Sequence, residues 1–263
     1  MSAIHKAIRQ SVYDRLEGGR LDEAEDLCRE SLLILEELCP VHVDVVTALC
    51  RLGWILDRRR AWAEALDCAE RAREVLNELG SSIPAGQRES LLLDALILHG
   101  VALRQLGRYR HAEVPFQQAV RLAEVNHEVP ELLISACDHL ALNYRLAGNF
   151  EQAVCLYGLA ILFARRAFGE VNALTATMCY HLAALQFSRG RFQDGLTPAR
   201  QSLEMRRILL GPTHPDALSA ETVLNQLQTA MEKEAKARPV LSVVRSATMA
   251  NTVTLSDLCS AAL

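Results

Sequence analysis

The chain has 263 residues, half of them apolar, which is enough for one large core or two small ones. Lys plus Arg is 28 and Asp plus Glu is 32; the net charge of −4 argues against a general nucleic-acid binder, which shows a basic excess, while leaving room for a local basic face. Only 5% is aromatic, and Ala and Leu are abundant, so the bias is towards helix.

From the N-terminus, "MSAIHKAIRQSVYDRLEGG" has no apolar run, so no secretory signal is expected. A short pattern then recurs: Gly, any residue, an aromatic or Leu, two residues, Ala. It occurs as Gly19-Arg20-Leu21 closing on Ala24, Gly107-Arg108-Tyr109 closing on Ala112, and Gly148-Asn149-Phe150 closing on Ala153. Gly190-Arg191-Phe192 closes on Gly195 in place of Ala, and Arg60-Ala61-Trp62 closes on Ala65 with the Gly lost. The closing positions 24, 65, 112, 153 and 195 are spaced by 41, 47, 41 and 42 residues. Five copies at a nearly constant period predict a solenoid of helical hairpins.

Each unit has a physical reading. A helix A carries a small residue where its neighbour must approach closely: Gly53, Gly100, Ala141 and Ala183. The turn Gly ends helix A, where a positive φ costs it little. Helix B then presents small, bulky, small at i, i+4, i+7, as in Ala112, Phe116, Ala119 and Ala153, Tyr157, Ala160, forming one buried stripe. The 47-residue spacing implies an insertion, and "NELGSSIPAGQRESLL" (77–92) is expected to supply it as a surface loop. After the fifth unit, "DALSAETVLNQLQTAMEKEAKAR" predicts an amphipathic capping helix that Pro239 ends. The expected domains are a solenoid over 1–238 and an apolar tail over 239–263. In the tail, Leu255, Leu258, Cys259, Ala262 and Leu263 share a helical face behind a Thr254–Asp257 cap. Leu255, Asp257, Leu258 and Leu263 are its candidate docking residues, in cis over the groove, in trans on a second copy, or merely capping the last helix.

The small-residue, turn-Gly, aromatic and Ala positions resemble the tetratricopeptide repeat. The long helix B closed by "LGPTHPD" (210–216), with "LCPVHVDVVTAL" as a degraded copy, is similar to the kinesin-light-chain subclass. The resemblance covers about residues 11–227. It implies an all-α, right-handed superhelix of about five hairpins plus a cap, binding partners along a concave groove lined by helix A. Aligning the units puts Arg58, Arg104 and Arg145 at one position. His139 and His181 match each other, with Arg51 one face over, and Asn225 takes the same position in the cap. Trp54, Tyr180, Phe187 and Cys50 would add apolar contacts. Such a groove suits an extended or helical protein segment bearing carboxylates. Chaperone-tail binding is not expected, because Arg9, Tyr13 and Arg51 fit the corresponding clamp poorly.

No phosphate-binding Gly-rich loop, HExxH or GxSxG occurs, and "HEVPE" (127–131) lacks its second His, so no enzyme is expected. The eight cysteines form no CxxC pair and read as small hydrophobes in a reducing, cytoplasmic setting. No metal, cofactor, nucleic acid or membrane is expected. The sequence therefore points to a non-catalytic scaffold or adaptor. Two alternatives remain open: a peptide-responsive regulator whose tail occupies the groove, and an accessory subunit of an enzyme complex.

Overall fold

The structure is a computed structural model that describes residues 10–15, 17–125 and 129–250, with side chains described as far as residue 236. Among the described residues all regular secondary structure is helical. Residues 10–15 form the end of a first helix A. There follow α1 (Leu21–Leu38), α2 (Val43–Arg58), α3 (Trp62–Leu79), α4 (Ala85–Gln105) and α5 (Tyr109–Val125). Then come α6 (Pro130–Leu146), α7 (Phe150–Phe168), α8 (Ala173–Ser188), α9 (Phe192–Leu210) and α10 (Pro215–Ala250). Each predicted turn joins a helix A to a helix B, giving five hairpins and a cap. The helices gather into two compact units, Met1–Gly169 and Glu170–Leu263. Hairpins one to four lie in the first; the fifth hairpin and the cap lie in the second.

The five turns share one mechanism. Gly19, Gly107, Gly148 and Gly190 have φ of 70°, 73°, 82° and 70°, and Arg60 takes the same left-handed conformation at 63°. This lets the next residue's N–H reach back to the carbonyl five positions earlier: Arg108 to Leu103 at 2.9 Å, Asn149 to Tyr144 at 2.8 Å, Arg191 to Gln186 at 3.0 Å. Arg20 to Arg15 and Ala61 to Leu56, both at 2.9 Å, complete the set. These bonds satisfy carbonyls that the helix end would leave open.

The hairpin-to-hairpin turns repeat as well. His42 caps α2 by accepting from the Asp44 N–H at 3.1 Å, and His214 accepts from the Asp216 N–H at 3.2 Å at the start of α10. The degraded turn and the intact one thus do the same work. Asn172 does likewise for α8, accepting from Thr175 N–H at 2.7 Å, a third copy that was not singled out from the sequence.

Small residues sit where helices touch. A Cβ on Gly100 would lie 2.5 Å from the Phe116 ring, one on Gly53 would overlap Leu98, and one on Gly195 would lie 2.8 Å from Leu227. The B-helix stripes are fully buried, Ala112, Phe116 and Ala119 at 0% exposure. Ion pairs bind the first two B helices together, Arg29 with Glu64 and Arg71 with Glu36, and Arg59, at the end of α2, pairs with Asp22 and Glu25 of α1.

Two expectations fail. The insertion is mostly helix, because α4 starts at Ala85 and runs 21 residues against 16 in α2 and α8. Only residues 80–84 are loop. The stretch from Ala85 to Leu92 is rich in helix formers, and Pro84 is in place to begin a helix. Pro239 also does not end the capping helix, which continues to Ala250. A proline removes one backbone bond, here to Ala235, yet the residues on either side keep theirs. Residues 251–263 lie outside the described residues, so Leu255, Asp257, Leu258 and Leu263 receive no structural account.

Arg60 pays a steric cost for its left-handed backbone that glycine avoids. Arg60→Gly is therefore expected to raise stability by about 0.5–1 kcal/mol, once the greater freedom of glycine in the unfolded chain is allowed for. Gly100→Ala drives a methyl into Phe116 and is expected to lower stability by about 1–3 kcal/mol. Urea denaturation of both variants beside the parent chain checks the two signs.

Candidate functional site

The turns give an unambiguous register for comparing helices A. Three residues before each left-handed position stand Asp57, Arg104, Arg145 and Phe187. Arg58 is therefore one residue out of the arginine ladder expected from the sequence, and its true counterpart is acidic. Nine residues before stand Arg51, Leu98, His139 and His181, so Arg51 is the direct equivalent of the two histidines. Counted from the capping residues Asn172 and His214, the counterpart of His181 in the cap is Val223, which is buried, whereas Asn225 is exposed.

In the first unit, Arg51, Trp54 and Arg58 come together. With Thr47 they share one face of α2 at i, i+4, i+7 and i+11. That face forms the wall of a cleft of about 410 Å³ between the first helix A, α2 and α4. Tyr13 of the first helix A, and Leu91 and Asp94 of α4, complete it. The Arg51 guanidinium lies 5.8 Å from the Tyr13 ring centre, a cation–π contact that leaves Tyr13 half exposed. Trp54 is half-buried, Arg58 and Asp94 are exposed, and Cys50 is buried in the floor. Burial pushes the Cys50 thiol up to about 12, so it serves as packing and not as a nucleophile.

Arg104 and His139 belong elsewhere. Arg104 is only 8% exposed. Its guanidinium lies 5.4 Å from the Phe116 ring centre and donates to the His139 carbonyl at 3.3 Å. The His139 ring stacks on Phe116, 5.8 Å between centres and 6° from parallel. Gly100, Phe116, His139 and Arg104 thus form one packed knot across hairpins three and four. Burial holds the Arg104 guanidinium below its ordinary range, and the Asp57 and Asp138 carboxylates act against that. The expected ladder is therefore partly neutralised by its own chain. Burial, and next the Arg104 charge, push the His139 imidazole down to about 4. Arg145 is half-buried beside this knot.

In the second unit, Tyr180 is covered by the Arg206 guanidinium at 4.5 Å from its ring centre. Arg206 also donates to the Asp216 carbonyl at 2.8 Å. Tyr180 and His181 meet edge-on at 5.8 Å, and Phe187 packs on Phe192 at 5.7 Å. These residues largely fasten the fifth hairpin and its cap. Sequence reasoning missed Asp57, Asp94 and Arg206; of these only Asp57 had a signal, its distance from the Arg60 turn.

Cys28, Cys68 and Cys137 are buried free thiols, pushed up to about 11, 11 and 12 by desolvation. Among the described residues no three His, Cys, Asp or Glu groups are placed to hold one metal ion, and no helix is long and apolar enough to cross a membrane.

Two models of the tetratricopeptide repeat match this chain, over residues 13–78 and 175–216. Kinesin light chain-related protein 2 of Arabidopsis thaliana is 24% identical over 148 residues, 55% of this chain and 22% of that protein. The chain thus spans about a fifth of the length of the curated relative it matches. Among solved structures, BtubC (BKLC) from P. vanneervenii superposes with a TM-score of 0.67 at 19% identity, covering 90% of this chain and 93% of that one. A signal transduction ATPase with numerous domains from Pyrococcus horikoshii, which has a tetratricopeptide repeat sensor, gives 0.69 at 13% identity, over 85% and 32% of the two chains. At these identities the structural likeness shows the fold.

Two half-buried histidines carry a pH dependence. His99 and His139 are both held neutral in the folded chain, each pushed down to about 4 from the ordinary 6.5. Below pH 6.5 the unfolded chain binds protons that the folded chain refuses, so the stability these two histidines contribute falls as pH drops from about 6.5 towards about 4 and stays constant below that. His139→Phe, which keeps the stack on Phe116, is expected to flatten that slope. Urea midpoints of parent and variant at pH 7 and pH 5 measure it.

Proposed function

We infer, from the premise that this is a tetratricopeptide-repeat chain with repeats of the kinesin-light-chain-like kind, that it is a non-catalytic adaptor holding a peptide segment of a partner protein in the cleft on its helices A. Repeats of this kind serve protein–protein interaction, and the finer reading is carried by one observation. Arg51, Trp54 and Arg58, on one face of α2, line a cleft with Tyr13, Leu91 and Asp94. Two guanidiniums beside one carboxylate leave a net positive cleft, and its two aromatic side chains supply apolar contact area. It suits an extended or helical segment that carries an acidic side chain next to an apolar one. Cytoplasmic action as an adaptor follows from the same reading.

The test is a selection of displayed random peptides on the full chain, followed by titration of the winners against variants. The expected winners are enriched in Asp or Glu beside aliphatic or aromatic residues. Arg51→Ala and Arg58→Ala should each weaken them about five- to tenfold, and Arg121→Ala, outside the cleft, should not. Winners of no common composition, or equal binding by the arginine variants, would overturn the reading.

A further inference from the structure

A second cleft of the first unit has a different chemistry. It measures about 550 Å³ and lies among α3, α4 and α5. Arg73, Arg108 and Arg110 line it with His99, His111 and a single carboxylate, Glu70. Three guanidiniums against one carboxylate leave a formal excess of two positive charges in a chain whose net charge is −4.

One of the three cations is anchored and the other two stand open at the surface. Arg73 donates to His99 Nδ1 at 2.8 Å; guanidinium can only donate, so the imidazole proton sits on Nε2. That bond anchors Arg73 against a half-buried side chain of α4. Arg108 and Arg110 are exposed, and among the described residues neither forms an ion pair with a carboxylate. The first turn of α5 also departs from the other B helices. Asp22 and Glu23 open α1, Glu64 α3, Glu151 α7 and Asp194 α9, whereas α5 has no acidic residue there and carries Arg110 and His111. Arg110 acts against the helix dipole until an anion joins it, after which dipole and guanidiniums attract the anion together.

We propose that this cleft binds the phosphoryl group of a phosphorylated serine, threonine or tyrosine side chain on a partner protein. A phosphoryl group near −2 matches the excess charge, which a carboxylate at −1 leaves half uncompensated, and its three oxygens suit the fork geometry of several arginines. A nucleic-acid strand requires a basic stripe along its backbone, and a single cleft on an acidic chain supplies one phosphate's worth of contacts. The site shares no residue with the cleft on helices A, so either can fail without the other.

The experiment uses the full chain and three fluorescent peptide pools with a fixed central phosphoserine, phosphothreonine or phosphotyrosine, each beside its unmodified counterpart, read by anisotropy. At least one phosphorylated pool is expected to bind about tenfold or more tighter than its counterpart. R108Q/R110Q is expected to erase that difference while keeping the parent's urea midpoint or exceeding it, since both side chains are exposed. R121A, outside both clefts, is expected to leave it unchanged. Equal binding of modified and unmodified peptides in all three pools would overturn the proposal, as would an undiminished difference in R108Q/R110Q. Two further results would do the same: displacement by an equal concentration of inorganic phosphate, which would make free phosphate the ligand, and tighter binding of a single-stranded oligonucleotide with the same arginine dependence.

Discussion

The backward hydrogen bond at each left-handed turn is the constraint on which the rest of this structure depends. It runs from the residue after the turn to the carbonyl five positions earlier, and it forms only when the turn residue takes a positive φ. With the bond made, helix B leaves helix A at one fixed angle. The small-bulky-small stripe of helix B then meets helix A where a small residue allows close approach, as Phe116 meets Gly100. Arg60 shows how strongly the packing imposes this geometry: a residue with a Cβ adopts φ of 63° where its four counterparts are glycine.

The same geometry sorts the arginines. Side chains of helix A near the turn either reach across to the next hairpin or stand over open space. Arg104 reaches across, onto the Phe116 face and the His139 carbonyl, and becomes part of the core. Arg51 and Arg58 face a cleft where α4 presents Leu91 and Asp94, and neither is built into the core. Residue type alone does not separate these cases. Two clefts of different character result within one unit: one mixes aromatic rings with both signs of charge, and the other sets three arginines and a single carboxylate beside aliphatic side chains such as Leu66 and Val114.

Burial also bears on several of the histidines and cysteines. His139 is stacked on the Phe116 ring, and desolvation together with the nearby Arg104 guanidinium disfavours a second positive charge there. Cys50 and Cys137 are surrounded by apolar side chains that penalise a thiolate. These groups contribute packing, and through His99 and His139 a sensitivity to acid.

By itself the sequence determined the repeat, its five turns, the helices on either side and the recurrence of the 210–216 turn at 38–44. These rest on local hydrogen bonds within six residues or fewer, and the side chains that form or permit them are written consecutively in the chain. It also brought Arg51, Trp54 and Arg58 to one helix face, since helical periodicity is local too. Only the tertiary structure decided that Arg104 is buried and that Arg73, Arg108 and Arg110 share a cleft. Each of those depends on which side chain of a neighbouring hairpin lies within a few ångströms, and residues some 35 positions apart in sequence carry no mark of that proximity.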